Sequence, residues 1–139
     1  MKTACFSTDC SVDSALALQR WLTTHANEAL RLTIVHAYGI EADNGLTKES
    51  YRTAKEQAKA RLERWLEMIP QSWAVTFAPE TLFSSPELAL KMHLLLRPYD
   101  YLLVDDQTGG LSSDLLALLS QSSAKLRRLA NHEFSRQIA

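Results

Sequence analysis

The stretch at residues 30–37, LRLTIVHA, restricts the fold more than any other part of this chain. It is β-branched and nearly continuous in apolar character, which suits a strand covered on both faces. Such strands belong to parallel sheets, and parallel neighbours must be joined by a crossover, usually a helix. The rest of the sequence supplies both parts. Residues 4–6, 73–78 and 101–104 read as further short strands. Between them lie helical stripes: Ala15, Leu18 and Leu22, then Tyr51, Ala54, Ala58, Leu62, Trp65 and Ile69, the latter in a helix over about residues 49–69 that Pro70 stops. Residues 79–83, PETLF, are expected to lead into a third helix, opened by Ser85, Pro86 and Glu87 and ending near Arg97 and Pro98. Leu115, Leu118, Leu119, Leu126 and Leu129 predict a last helix running to about Ala130. The order β-α-β-α-β-α-β-α calls for an α/β fold, an open parallel sheet with helices on both faces.

At 139 residues the chain is expected to form one domain spanning 1–139. Its formal charge of −1 is spread along the sequence, with no basic face to follow a phosphate backbone, so nucleic acid is not an expected partner. No run approaches the roughly 18 apolar residues of a membrane span, and the N-terminus lacks a signal-peptide core. A cytoplasmic location and no membrane partner are the expectation. Cys5 and Cys10 are too few for a disulfide framework and have no zinc spacing. Cys5 reads as a small core residue, and Cys10 as a loop residue or a reactive thiol.

Ligands of open α/β sheets bind at the carboxyl ends of the strands, where the strand order reverses. Asp9 stands at such an end. It either contacts a ligand or bonds its own turn. Asp105 and Asp106 follow the fourth strand, which would neighbour the first. With Asp9 they form a candidate metal site, since carboxylates suit Mg²⁺ or Ca²⁺, or they are solvated loop acids. His36, ending the second strand, is a ligand contact or a hydrogen-bonded loop histidine. His25, His93 and His132 have no metal spacing. Ser7 and Ser11 lack the glycines of a nucleophile elbow, and no catalytic residue is assigned.

The stretch from Ser7 to Leu18, STDCSVDSALAL, resembles the opening of universal stress protein domains, where a strand ends in a Thr-Asp-x-Ser turn and a helix follows. Residues 32–37, LTIVHA, resemble that family's second strand, and residues 86–104 resemble a helix of the family and the strand that follows it. The resemblance covers about residues 3–130. It implies a strand order of 3-2-1-4 with a fifth edge strand, a common homodimer, and nucleotide contacts at Thr8, Asp9, Cys10, His36 and Ala37. In many members ATP is held after the fourth strand by a Gly-x-x-Gly-x9-Gly-Ser/Thr loop. Its glycines let backbone N–H groups close around the phosphates.

This chain departs from that loop. Only Gly109 and Gly110, with Leu111, match it, and Ser120 stands near the place of the later hydroxyl. Asp105 and Asp106 would set two carboxylates where amides should meet a triphosphate. A fifth strand is expected, if present, at residues 134–138, as a polar edge. The resemblance thus implies a non-enzymatic domain in stress response or regulation, acting as a homodimer or on a protein partner, with ATP binding lost or weakened and no resident cofactor. The alternative is a nucleotide- or Mg²⁺-dependent switch or hydrolase built on Asp9, Asp105 and Asp106. A phosphoacceptor receiver ranks last, because Asp9 has no acidic neighbour.

Overall fold

The computed structural model describes residues 1–25, 28–40, 45–70, 74–105, 112–122 and 124–129. Five strands alternate with four helices: β1 (Lys2–Ser7), α1 (Val12–Thr24), β2 (Leu30–Tyr38), α2 (Lys48–Glu67), β3 (Val75–Phe83), α3 (Pro86–Leu96), β4 (Tyr101–Val104), α4 (Ser113–Gln121) and β5 (Lys125–Arg128). The strands lie in the order β3-β2-β1-β4-β5, and every neighbouring pair is parallel. The order reverses at β1, whose Ala4 pairs with Leu32 of β2 on one side and Tyr101 of β4 on the other.

Two apolar layers sandwich the sheet. Ala15, Leu18 and Trp21 of α1 and Leu62 and Trp65 of α2 pack on Ala4, Phe6, Leu32 and Ile34. On the other face Leu90 and Leu94 of α3 and Leu115 of α4 pack on Cys5, Val35, Leu102 and Val104. Adjacent residues of a strand thus enter opposite cores, as the period of two requires. β2 is buried at Leu30 and from Leu32 to His36. Its continuous apolar run is therefore explained by helices on both sides.

Each helix start is set by a short polar side chain. Ser11, Thr47, Ser85 and Ser112 accept hydrogen bonds from backbone N–H groups three residues on. Such caps each contribute about 1 kcal/mol.

Two segments differ from the sequence expectation. Residues 79–83 continue β3 rather than leading into α3, with Pro79 in register with Ile34. β3 is an edge strand, and a proline without an N–H is tolerated there because one side of the strand has no ladder to complete. The last helix is shorter than its leucine spacing predicts: it ends at Gln121, and residues 125–128 are β5. Leu126 and Leu129 are three apart, which on a helix shares a face and on a strand does not. Leu126 packs against the α3/α4 layer, whereas Leu129 is buried in the α1/α2 layer. The fifth strand therefore precedes the stretch at 134–138, which lies outside the described residues. No described helix is long and apolar enough to cross a membrane.

Candidate ligand site at the carboxyl edge of the sheet

The turn that links β1 to α1 is tied down on every side. Thr8 N donates to Val35 O of β2 at 2.9 Å. Asp9 is exposed, and its Oδ1 accepts from Ser11 N at 3.0 Å, closing an Asx turn. Cys10 N donates to Thr8 Oγ1 at 2.9 Å, and the Thr8 and Ser14 hydroxyls lie 2.7 Å apart. Cys10 takes a left-handed backbone, φ 64°, uncommon for a residue with a side chain. From α2, Trp65 Nε1 donates to Ser11 O at 3.0 Å.

Thr8, Asp9, Cys10, His36 and Ala37 are brought together here, on the ends of two neighbouring strands. His36 is buried, and Thr8 O lies 3.0 Å from its Nδ1. A carbonyl can only accept, so Nδ1 carries the proton. Nε2 is then the acceptor for Arg61 Nε, at 3.4 Å. The Arg61 contact requires the neutral ring, since a protonated Nε2 could not accept. Burial accordingly holds the His36 pKa below the usual histidine value, with the Thr8 bond opposing, the Arg61 charge assisting and the Asp9 charge opposing. Cys10 is half-buried, and desolvation pushes its thiol up to about 11 against the pull of Arg61. Of the two readings of Cys10 this favours the plain loop residue, because the nucleophile is the thiolate. Ala37 is half-buried against the α3/α4 layer.

Arg61 was not singled out by the sequence. It lies one turn before Trp65 on an exposed flank of a charged helix, and nothing local distinguishes it from Lys55 or Arg64. It borders a groove of about 480 Å³ between the end of β2 and α2, with Gly39, Ile40, Thr53 and Gln57 among the lining residues.

After β4, Asp105 is buried at the carboxyl end of the sheet. Asp106, Gly109 and Gly110 lie outside the described residues. Among the described residues no three His, Cys, Asp or Glu side chains gather as a metal would need. Ser120 lies away from the ends of β1 and β2 in sequence, on α4. It sits in the last turn of α4, exposed, with its Oγ donating to Ala117 O at 2.7 Å. The N-cap of α4 is Ser112, which accepts from Leu115 N at 3.1 Å. The signal was present, since Ser112, Ser113 and Asp114 precede a leucine pair in the manner of a helix cap.

The parallel strand order 3-2-1-4-5 with four helices matches that of a group of solved structures. The fold is that of the universal stress proteins. A universal stress protein solved in complex with cAMP is similar over 91% of this chain and 95% of its own, at 17% identity and TM-score 0.51. A universal stress protein family member from Arabidopsis thaliana with AMP bound matches over 97% and 95%, at 12% identity and TM-score 0.59. The hypothetical protein PH0823 matches over 93% and 95%, at 14% identity and TM-score 0.70. No family model matches the sequence, and a search of curated proteins finds no match. The universal stress protein fold is thus held here by a strongly divergent sequence.

Proposed function

We propose that this protein is a non-enzymatic domain of the universal stress type, cytoplasmic, acting in stress response or regulation through contacts with a second copy or another protein, with ATP affinity lost or weakened. One observation carries the reading. The polar groups that would meet a nucleotide at the ends of β1 and β2 are already used within the chain. Asp9 Oδ1 closes its own turn, Thr8 Oγ1 is shared between Ser14 and Cys10, and both ring nitrogens of His36 are engaged. At Thr8 and His36 a ligand has to replace these bonds rather than find open ones, which removes most of the gain from making them. The carboxylate of Asp105 at the end of β4 adds repulsion toward a triphosphate.

The second reading is a nucleotide- or Mg²⁺-dependent switch. It is favoured by the AMP and cAMP held by two proteins of this fold. Titration calorimetry with ATP, AMP and cAMP, with and without Mg²⁺, separates the two on protein checked for copurified nucleotide. Our reading expects no saturable heat up to millimolar ligand. Micromolar affinity for any of them overturns it and puts the switch in its place.

A further inference from the structure

Helix α3 is apolar on two opposite sides. Ala89, Leu90, His93 and Leu94 are buried against the sheet. Leu88, Met92, Leu95 and Leu96 stand outward and are 50%, 38%, 70% and 77% exposed. The outward four fall at i, i+4, i+7 and i+8, which is one stripe on a helix. Glu87 and Lys91, 3.8 Å apart, make a narrow charged seam beside it. A helix apolar all round is normally buried all round. Among the described residues the sheet and α4 cover α3 on its inner side.

The area is that of the apolar centre of an interface. At about 180 Å² for a fully exposed Leu or Met, the four side chains leave roughly 400 Å² of apolar surface open, a patch of the size that marks contact sites. A stable dimer of ordinary size takes about 800 Å² from each partner, more than half of it apolar. The stripe supplies the apolar centre of such a contact, and the seam residues supply its rim.

The edges of the sheet, among the described residues, are poorly suited to self-pairing. β3 carries Pro79 and Glu80, and β5 carries Lys125, Arg127 and Arg128 in four residues. Two copies of β5 laid side by side would oppose like charges. Association through the helical face leaves both edges out.

We propose that a second copy of this chain covers the stripe, with α3 packed antiparallel on α3 about a two-fold axis near Met92. This deepens the reading of the protein as one that works through protein contacts, and it rests on that reading. The stripe is complementary to itself in that arrangement. Centring on Met92 sets Leu88 of each copy against Leu96 of the other and leaves no polar side chain in the middle. Charge selects the direction. Glu87 lies in the first turn of α3 and Arg97, half exposed while bound to Glu80, follows the last turn. Antiparallel packing brings each acidic end, and the positive end of its helix dipole, to the basic and negative end of the other copy. Parallel packing would set Glu87 against Glu87.

The test is the mass of the full chain by sedimentation equilibrium from about 5 to 200 μM, a span covering the micromolar affinities of small interfaces. The expected result is a dimer, twice the 15.6 kDa of the chain. Leu95→Glu with Leu96→Glu should raise the dimer dissociation constant by about 100-fold or more, since both anchors become charges at a desolvated centre. Both side chains point outward, so an unchanged melting curve of the dilute variant shows that it folds. As a second measurement, Met92→Cys should form a disulfide-linked dimer on mild oxidation, whereas the wild type, with Cys5 buried and Cys10 half-buried, should not. A wild-type chain that stays monomeric, a dimer that survives the double variant, or a dimer without the Met92→Cys link overturns the proposal. Micromolar nucleotide binding by an intact dimer would overturn the functional reading and leave this interface standing.

Discussion

Replacing His36 by Phe tests the geometry of the carboxyl edge most directly. The ring fills a buried position, so Phe conserves most of the packing. It removes the Nδ1–H that Thr8 O accepts at 3.0 Å. A buried carbonyl left without its donor costs about 1–3 kcal/mol. The contact with Arg61 is long and its guanidinium is exposed, so its loss adds little. The expected penalty at pH 7.5 is therefore about 1–2 kcal/mol by urea denaturation, after allowing for the apolar gain of the phenyl ring. The pH dependence is the sharper readout. The His36 pKa is lowered in the folded chain, mainly by burial, so between that value and the unfolded value the unfolded state binds more protons. Stability therefore rises with pH through that window. It is fully present above about 6.5, the unfolded histidine value, and is lost as pH falls toward the folded one. His93 follows the same sign: burial lowers its pKa, opposed by Glu80 and assisted by Arg97. The wild type should thus weaken from pH 7 to pH 5 through two histidines, and His36→Phe should remove one of the two contributions. A variant whose loss of stability over that range is as steep as that of the wild type refutes the neutral, doubly bonded ring.

Two further outcomes follow from the same turn. Trp65→Phe should cost about 2 kcal/mol, from one hydrogen bond to Ser11 O and the volume lost beside Phe6, and lower the melting temperature by about 8 °C; a shift under about 2 °C refutes the view that Trp65 pins the turn. Cys10 should react with a thiol reagent at pH 8 at least about tenfold more slowly in the folded chain than in urea, because its pKa of about 11 leaves little thiolate. Equal rates would show that the thiol is not held in its half-buried place.

Much of the fold was legible because its signals are local. Ser11 and Ser85 cap their helices where a hydroxyl before an apolar stripe says they should, and Tyr101–Val104 is the strand its residues spell. Where the reading failed, two structures shared one local pattern. Leu126 and Leu129 satisfy helical spacing, and their separation into opposite cores became visible only once β5 had a place beside β4. Pro79 looks like a stop, and it is one in a central strand. Its tolerance depends on β3 being an edge, a property of the assembled sheet.

The candidate site divides in the same way. The turn at Thr8, Asp9 and Cys10 was marked by its residue types, and the acid's bond to Ser11 N is a short-range event that those types favour. Arg61 on His36 and Trp65 on Ser11 join positions 25 and 54 residues apart, and no local pattern encodes such partners. By itself, then, the sequence determined the alternation of strand and helix, the helix starts and the parallel sheet, because backbone preferences and burial periodicity act over a few residues. Tertiary structure alone decided which strand is an edge, which polar groups at the carboxyl ends are already bonded, and which apolar face of α3 stands outward among the described residues. Each of those depends on what lies across space from a residue, and that is settled only when distant segments meet.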